Sequence, residues 1–153
     1  MTRQFDIITD SCSGMPREFY EEHHIAELPL GYTLDGVSYG GADGETLPVK
    51  EFYARLRAGA ECHTFQVTAE QVRPCIEQSF RAGRDVLAVV FSSALSGTAS
   101  SFSVAATSLV EEFPGRRALV LDSMGGSMGE GMLIEYLLKK ADAGASLDEV
   151  YAY

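Results

Sequence analysis

Short apolar runs alternate along the chain with polar segments that carry apolar residues at helical spacing, the pattern of strands joined by crossover helices. FDIIT (5–9) predicts a short strand, and PREFYEEHH (16–24) a helix opened by Pro16, whose missing N–H costs nothing in a first turn. IAELPLGYTL (25–34) predicts a second extended segment. Asp35-Gly36, between TL and VSY, predicts a tight hairpin, because a type I′ turn needs positive φ at both central positions. Thr46 precedes LPVKEFYARLRAG (47–59), a helix with Leu47, Phe52 and Leu56 near one face and Gly59 as its stop. Thr68-Ala-Glu-Gln71 forms a capping box that opens a helix running toward Gly83, with a kink expected at Pro74. VLAVVF (86–91) is the most apolar strand and belongs at the centre of the sheet with both faces covered. A helix from Gly97 or Thr98 to Phe113, the strand RALVLD (117–122) and a helix from Ser127 to Ala143 follow. Ser146-Leu-Asp-Glu149 is a second capping box, with Leu147, Val150 and Tyr151 on one face of the helix it opens.

This order predicts an α/β fold: a mainly parallel sheet with flanking helices, plus a β-hairpin excursion near residues 30–40. Residues 1–145 read as one α/β lobe. Residues 146–153 read as the start of a helix that leads to a second lobe absent from this chain, since an isolated helix of that length is marginal. With 153 residues and 46% hydrophobic content, the chain can bury a core of its own.

Charge and cysteine usage narrow the function classes. Twenty-two acidic against twelve basic residues give a formal charge of -10, which repels phosphate backbones and anionic membrane surfaces, so nucleic acid is not expected as a partner. The longest apolar run, Val86 to Phe91, falls far short of the roughly 20 residues of a membrane helix, so the chain is expected not to be membrane-embedded. The N-terminal stretch MTRQFDIITD has no signal-peptide pattern, and a cytoplasmic location is expected. Cys12, Cys62 and Cys75 include no CxxC pair and fit a reducing compartment. Cys62-His63 are sequence neighbours that point to different sides, and no metal or cofactor is expected from them.

The chemistry concentrates where strands hand over to helices. Three loops are rich in Ser, Thr, Asp and Gly: Thr9 to Gly14, Phe91 to Thr98, and Asp122 to Ser127. In open parallel sheets ligands gather beyond the carboxyl ends of the strands, where such loops lie. Helix capping accounts for any one of them; three together favour a shared pocket. Ser96 and Thr98 at a helix start also suit an anion, because free N–H groups and the helix dipole both favour negative charge. No P-loop is present, since Gly125-Gly126-Ser127 lacks the lysine. TDSCSG supplies only Gly14 where a dinucleotide fingerprint needs three glycines. LSGT is not a nucleophile elbow, and no histidine follows His63. A site of neutral hydroxyls at helix starts remains, better suited to one carboxylate than to a polyphosphate.

IITDSCSGMP, IAELPLGYTLDGVSYGG, FYARL, HTFQVTAEQ, VVFSSALSGTASSF and LVLDSMGGSMGEG, in this order, resemble the motifs of the DegV family. In that family they read approximately as TDSxxDLP, PLxVxxxGxxY, TSQPS, SSxLSGT and DSxxxSxGxG. The resemblance implies the Rossmann-like N-terminal lobe of a two-lobe protein that encloses a fatty acid, with the acyl chain in an apolar tunnel and the carboxylate held by polar groups. Members of the FakB type present the bound fatty acid to a separate fatty-acid kinase and are not themselves enzymes. By motif match, Thr64 and Ser96 are the hydroxyls expected on the carboxylate, and Gly97 lets the backbone approach it. Asp10, Ser11, Ser92, Ser93, Thr98, Asp122 and Ser123 are implied as supporting, loop-shaping positions. Phe65 and Val67 depart from the Ser and Pro of TSQPS, which implies a differently shaped loop around Thr64. The second lobe of the family, which supplies basic groups and half the tunnel, has no counterpart here. The alternatives are an interaction module that pairs with a second copy through an exposed tunnel face, and a hydrolase using Ser93 or Ser96.

Overall fold

The computed structural model describes residues 3–41 and 45–153. Met1, Thr2 and residues 42–44 of the predicted 1–145 lobe lie outside the described residues. In chain order the elements are β1 (Phe5–Asp10), a 3-10 turn (Ser11–Ser13), α1 (Arg17–Glu22), β2 (Ala26–Leu28), β3 (Gly31–Leu34), β4 (Val37–Gly40) and α2 (Val49–Arg57). β5 (Cys62–Phe65), α3 (Ala69–Arg81), β6 (Asp85–Val90), α4 (Thr98–Glu112), β7 (Ala118–Asp122), α5 (Met128–Asp142) and α6 (Leu147–Tyr151) complete it.

Four strands form a parallel sheet in the order β2-β1-β6-β7, and β4-β3-β5 form a separate antiparallel sheet. The α/β class with a mainly parallel sheet is thus as expected, but the hairpin does not extend that sheet. The predicted extended segment 25–34 divides at Pro29-Leu30: β2 joins β1, and β3 joins the second sheet. Pro29 removes a ladder donor at the break, which is where a proline is tolerated. β5, which pairs Thr64 with Tyr32 and Phe65 with Gly31, was not among the predicted strands.

Period-two alternation in β1 and β6 sends side chains to opposite faces, and both faces are covered. Ile8, Val86, Ala88 and Val90 pack with Val72, Ile76 and Phe80 of α3 and with Phe102, Ala105 and Leu109 of α4. Phe5, Ile7, Leu87 and Val89 pack with Tyr20 of α1, Ile134 and Leu137 of α5, and Leu147 and Val150 of α6. Burial of each large side chain contributes about 1.5–3 kcal/mol, so β6, shared between the two clusters, anchors the sheet. Asp35 and Gly36 have φ of 50° and 80° and connect Leu34 directly to its partner Val37, the turn that the dipeptide demands. Both capping boxes form: Thr68 with Gln71, and Ser146 with Glu149. α3 runs unbroken through Pro74. α2 begins at Val49 without a side-chain cap and buries none of its residues fully, with Phe52 edge-on to Tyr32.

Candidate functional site

Asp10 ends β1 fully buried and ties two of the hydroxyl-rich loops together. Its Oδ1 accepts the N–H of Cys12 at 2.9 Å, capping the 3-10 turn, and its Oδ2 accepts the N–H of Phe91 at 2.8 Å, just beyond β6. Burial raises its pKa, and the two N–H groups oppose that rise by stabilising the anion. Ser11 accepts the N–H of Leu30 at 3.0 Å and so fixes the link between β2 and β3. Ser13 donates to the Asp10 carbonyl at 3.0 Å and bonds the Tyr20 hydroxyl at 2.7 Å.

The loop after β6 is held by its own hydroxyls and by β7. Ser92 accepts the N–H of Ala94 at 3.3 Å, while its backbone N–H donates to the Gly125 carbonyl at 3.0 Å. Asp122 accepts the N–H of Ser93 at 3.2 Å and that of Met124 at 2.9 Å. The Ser93 hydroxyl and these N–H groups lower the Asp122 pKa, so it stays ionised. Ser123 donates to the Gly125 carbonyl at 3.1 Å, closing the third loop on itself. The Ser127 N–H reaches back to the Cys12 carbonyl at 2.6 Å and joins the third loop to the first.

At the start of α4, Ser96 and Thr98 share a 2.9 Å contact between hydroxyls, and Ser96 Oγ also accepts the Thr98 N–H at 3.2 Å. Thr98 is buried and Ser96 half-buried. When Thr98 donates within the pair, both of those bonds use Ser96 as acceptor, and the Ser96 proton is free to bond an outside acceptor. Gly97 between them leaves room for the end of the Gln66 side chain. A Cβ there would lie 2.2 Å from Gln66 Oε1, so any side chain would displace Gln66. Gln66 Nε2 in turn donates to Ser101 Oγ at 3.1 Å. The Gln66 side chain therefore links the end of β5 to the first turn of α4. Thr64 itself is exposed on β5, and the Phe65 ring beside it lies against Gly31.

Gln66 and Glu130 were missed as site residues. The motif that carries Thr64 already contains Gln66, and only its amide contact with Gly97 distinguishes it from a loop spacer. Glu130, in the first turn of α5, is fully buried and accepts the Thr9 hydroxyl at 3.3 Å through Oε1, while Oε2 has no partner. Burial, and then the neighbouring Asp10 charge, push its pKa up to about 8. Burial, followed by Asp10 and Glu130, pushes the Cys12 thiol up to about 12, which keeps it protonated and unreactive.

The bonds of the histidines lie outside the three hydroxyl-rich loops. His63 pairs with Glu61 at 2.8 Å on β5, and His23 and His24 follow α1, with Arg3 bonding the His23 carbonyl at 2.7 Å. Among the described residues no group of three or more His, Cys, Asp or Glu side chains is placed to hold a metal. No described helix is long and apolar enough to cross a membrane.

Hydrogen bonds thus tie the three hydroxyl-rich loops together beyond the strand ends of a parallel α/β sheet. The family model described as uncharacterised protein, DegV family, matches residues 4–153, and the chain belongs to the DegV family. A DegV domain-containing protein of Clostridium perfringens is 32% identical over 152 residues, covering 99% of this chain and 52% of that protein. The solved structure of a DegV family protein from Thermus thermophilus with fatty acid binding superposes with a TM-score of 0.84 at 28% identity, over 97% of this chain and 51% of that one. A Thermotoga maritima protein whose structure reveals a fatty acid binding function superposes with a TM-score of 0.77 at 26% identity, over 97% of this chain and 53% of that one. The chain thus spans about half the length of the relatives it matches.

Proposed function

We propose that this chain is the N-terminal, fatty-acid-binding lobe of a two-lobe cytoplasmic carrier, which holds a long-chain fatty acid by its carboxylate and presents it to a fatty-acid kinase. The observation that supports the reading is the contact of Gln66, two residues after Thr64, with Gly97, which stands between Ser96 and Thr98 at the start of α4. In this reading Thr64 and Ser96 donate to the carboxylate, and Gly97 lets the Gln66 side chain pack close to the backbone of the α4 start. Asp10, Ser11, Ser92, Ser93, Thr98, Asp122 and Ser123 hold the loops in shape through the bonds described above. The fatty acid binding of two relatives above 25% identity supports the choice of ligand. Leu95 and Met124 stand 72% and 85% exposed on the second and third loops and offer apolar surface for an acyl chain or for the second lobe. Each buried CH2 contributes about 0.8 kcal/mol, so the acyl chain supplies most of the affinity and the hydroxyls fix its orientation. The phosphoryl-transfer chemistry belongs to the kinase, and this chain acts as a carrier.

Native mass spectrometry with organic extraction of the same sample tests this reading. A mass increment equal to a long-chain fatty acid is expected. A bare polypeptide that also fails to take up added oleate would overturn binding by this lobe alone.

One feature favours a second reading, an interaction module that forms a homodimer. β7 is an edge strand of the parallel sheet whose five residues are all half-buried, and a groove of about 510 Å³ between it and α4 is lined by Ala106, Val110, Ala118 and Val120 together with Ser103, Thr107 and Glu111. An open edge with unpaired backbone groups is a template for another strand. Sedimentation showing concentration-dependent dimers without extractable lipid would favour this reading over the carrier.

A further inference from the structure

Glu130 has a role that neither the motif pattern nor the hydroxyl loops assign. It sits one turn into α5, wholly excluded from solvent, with one carboxylate oxygen on Thr9 and the other without a partner. The titratable groups that face it are Asp10 on β1, Cys12 in the 3-10 turn and Tyr20 on α1. None of these is basic. Two carboxylates in one buried site share protons as a pair, and the better-bonded member keeps the charge. Asp10 accepts two backbone N–H groups, whereas Glu130 accepts a single hydroxyl, so the proton resides on Glu130. The elements around this pair are those that carry the loops: Asp10 reaches Phe91 at the second loop, and Ser127, three residues before Glu130, bonds Cys12 in the first.

We propose that Glu130 is a positioning residue for the head-group site: neutral, it joins β1, the Ser11–Ser13 turn and α5 into a floor beneath the three loops, and its ionisation against Asp10 loosens that floor. This rests on the reading of those loops as the carboxylate site. A second buried negative charge has no cation to pair with among the groups facing it. The structure therefore relieves the charge by opening the contact between α5 and the first loop. Lipid release at raised pH follows from the same motion.

Hydrogen–deuterium exchange of the lipid-free chain at about pH 6.5 and about pH 9, corrected for intrinsic base catalysis, reads the joint directly. Wild-type protection over residues 9–14 and 122–131 is expected to fall about tenfold or more, in step with release of one proton, while Glu130→Gln, an isosteric neutral side chain, keeps its protection at both pH values. Identical pH profiles in the two proteins would overturn the inference. If Glu130→Gln does not fold, a carboxyl 13C titration of the wild type decides: a midpoint well above the ordinary range is expected, and a midpoint near the usual glutamate value of about 4.3 overturns the proposal. Oleate retention at the same two pH values separates this inference from the carrier reading. Weaker retention at high pH in wild type but not in Glu130→Gln supports both. Absence of oleate binding in either protein, with the exchange difference intact, removes the carrier reading and leaves the Glu130 joint supported.

Discussion

The Asp10 carboxylate bridges the ends of two adjacent strands, accepting the Phe91 N–H at 2.8 Å beyond β6 while its other oxygen accepts the Cys12 N–H at 2.9 Å. A buried carboxylate is tolerated here because each oxygen finds a donor. Replacing Asp10 with Ala leaves those N–H groups without an acceptor, at about 1–3 kcal/mol for an unsatisfied buried group. Urea unfolding of Asp10→Ala should show a lower midpoint at an unchanged m-value. Asp10→Asn, which retains one acceptor oxygen, should fall between that variant and wild type. An Asp10→Ala midpoint equal to wild type would mean that the bridge contributes nothing to the fold.

Gly97 and Gln66 form a coupled pair, since the amide occupies the space a side chain at 97 would need. A side chain at 97 pushes the flexible amide aside and costs its bond to Ser101, about 0.5–1.5 kcal/mol. Gly97→Ala should therefore destabilise the domain and weaken fatty-acid retention, and Gln66→Ala combined with Gly97→Ala should recover part of the stability. Calorimetric unfolding of the two single variants and the double variant closes the cycle. Additive effects would show that the two residues do not interact.

The strands and caps were legible where local chemistry and tertiary packing agree. β6 is apolar throughout and lies between both clusters, Asp35-Gly36 takes the two positive φ angles its residues favour, and both capping boxes form. β5 was illegible because Cys-His-Thr-Phe is short and largely exposed, and only its partner β3 makes it a strand. The division at Pro29 was likewise hidden, since one extended run supplies strands to two sheets. Of the site, the hydroxyl loops could be read from composition, but the bonds that unite them could not. Glu130 illustrates why: a glutamate in the first turn of a helix ordinarily faces water and complements the dipole, and only the packing of α5 against the Ser11–Ser13 turn and the sheet encloses it.

The same enclosure gives stability a pH dependence of defined sign. Glu130 has a folded pKa of about 8, above its unfolded value, so the folded state binds more protons than the unfolded chain between the two. The contribution from the protonated side chain is complete below the unfolded pKa and is lost as pH rises through the folded one. Unfolding free energy should thus decline by up to about 1.4 kcal/mol per pH unit across this window. Glu130→Gln should flatten the profile between about pH 5 and about pH 8. Chemical denaturation across that range measures it, and a wild-type slope matched by the variant would assign the dependence to other groups.

The head-group hydroxyls make a prediction that separates binding from folding. Ser96 is half-buried and bonded to Thr98, and Thr64 is exposed on β5, so neither supports the core. A hydrogen bond to a charged group contributes about 1.5–3 kcal/mol, which corresponds to roughly a ten- to hundredfold change in affinity. Ser96→Ala and Thr64→Ala should each weaken oleate binding by at least about tenfold while shifting the unfolding midpoint little. Thr98→Val should act differently, because it deletes a buried hydroxyl that orients Ser96 and should lower both stability and affinity. Isothermal titration with oleate, alongside thermal unfolding of the same samples, distinguishes the two patterns. Loss of stability in Ser96→Ala without loss of affinity would make that hydroxyl a cap for α4 and move the carboxylate elsewhere.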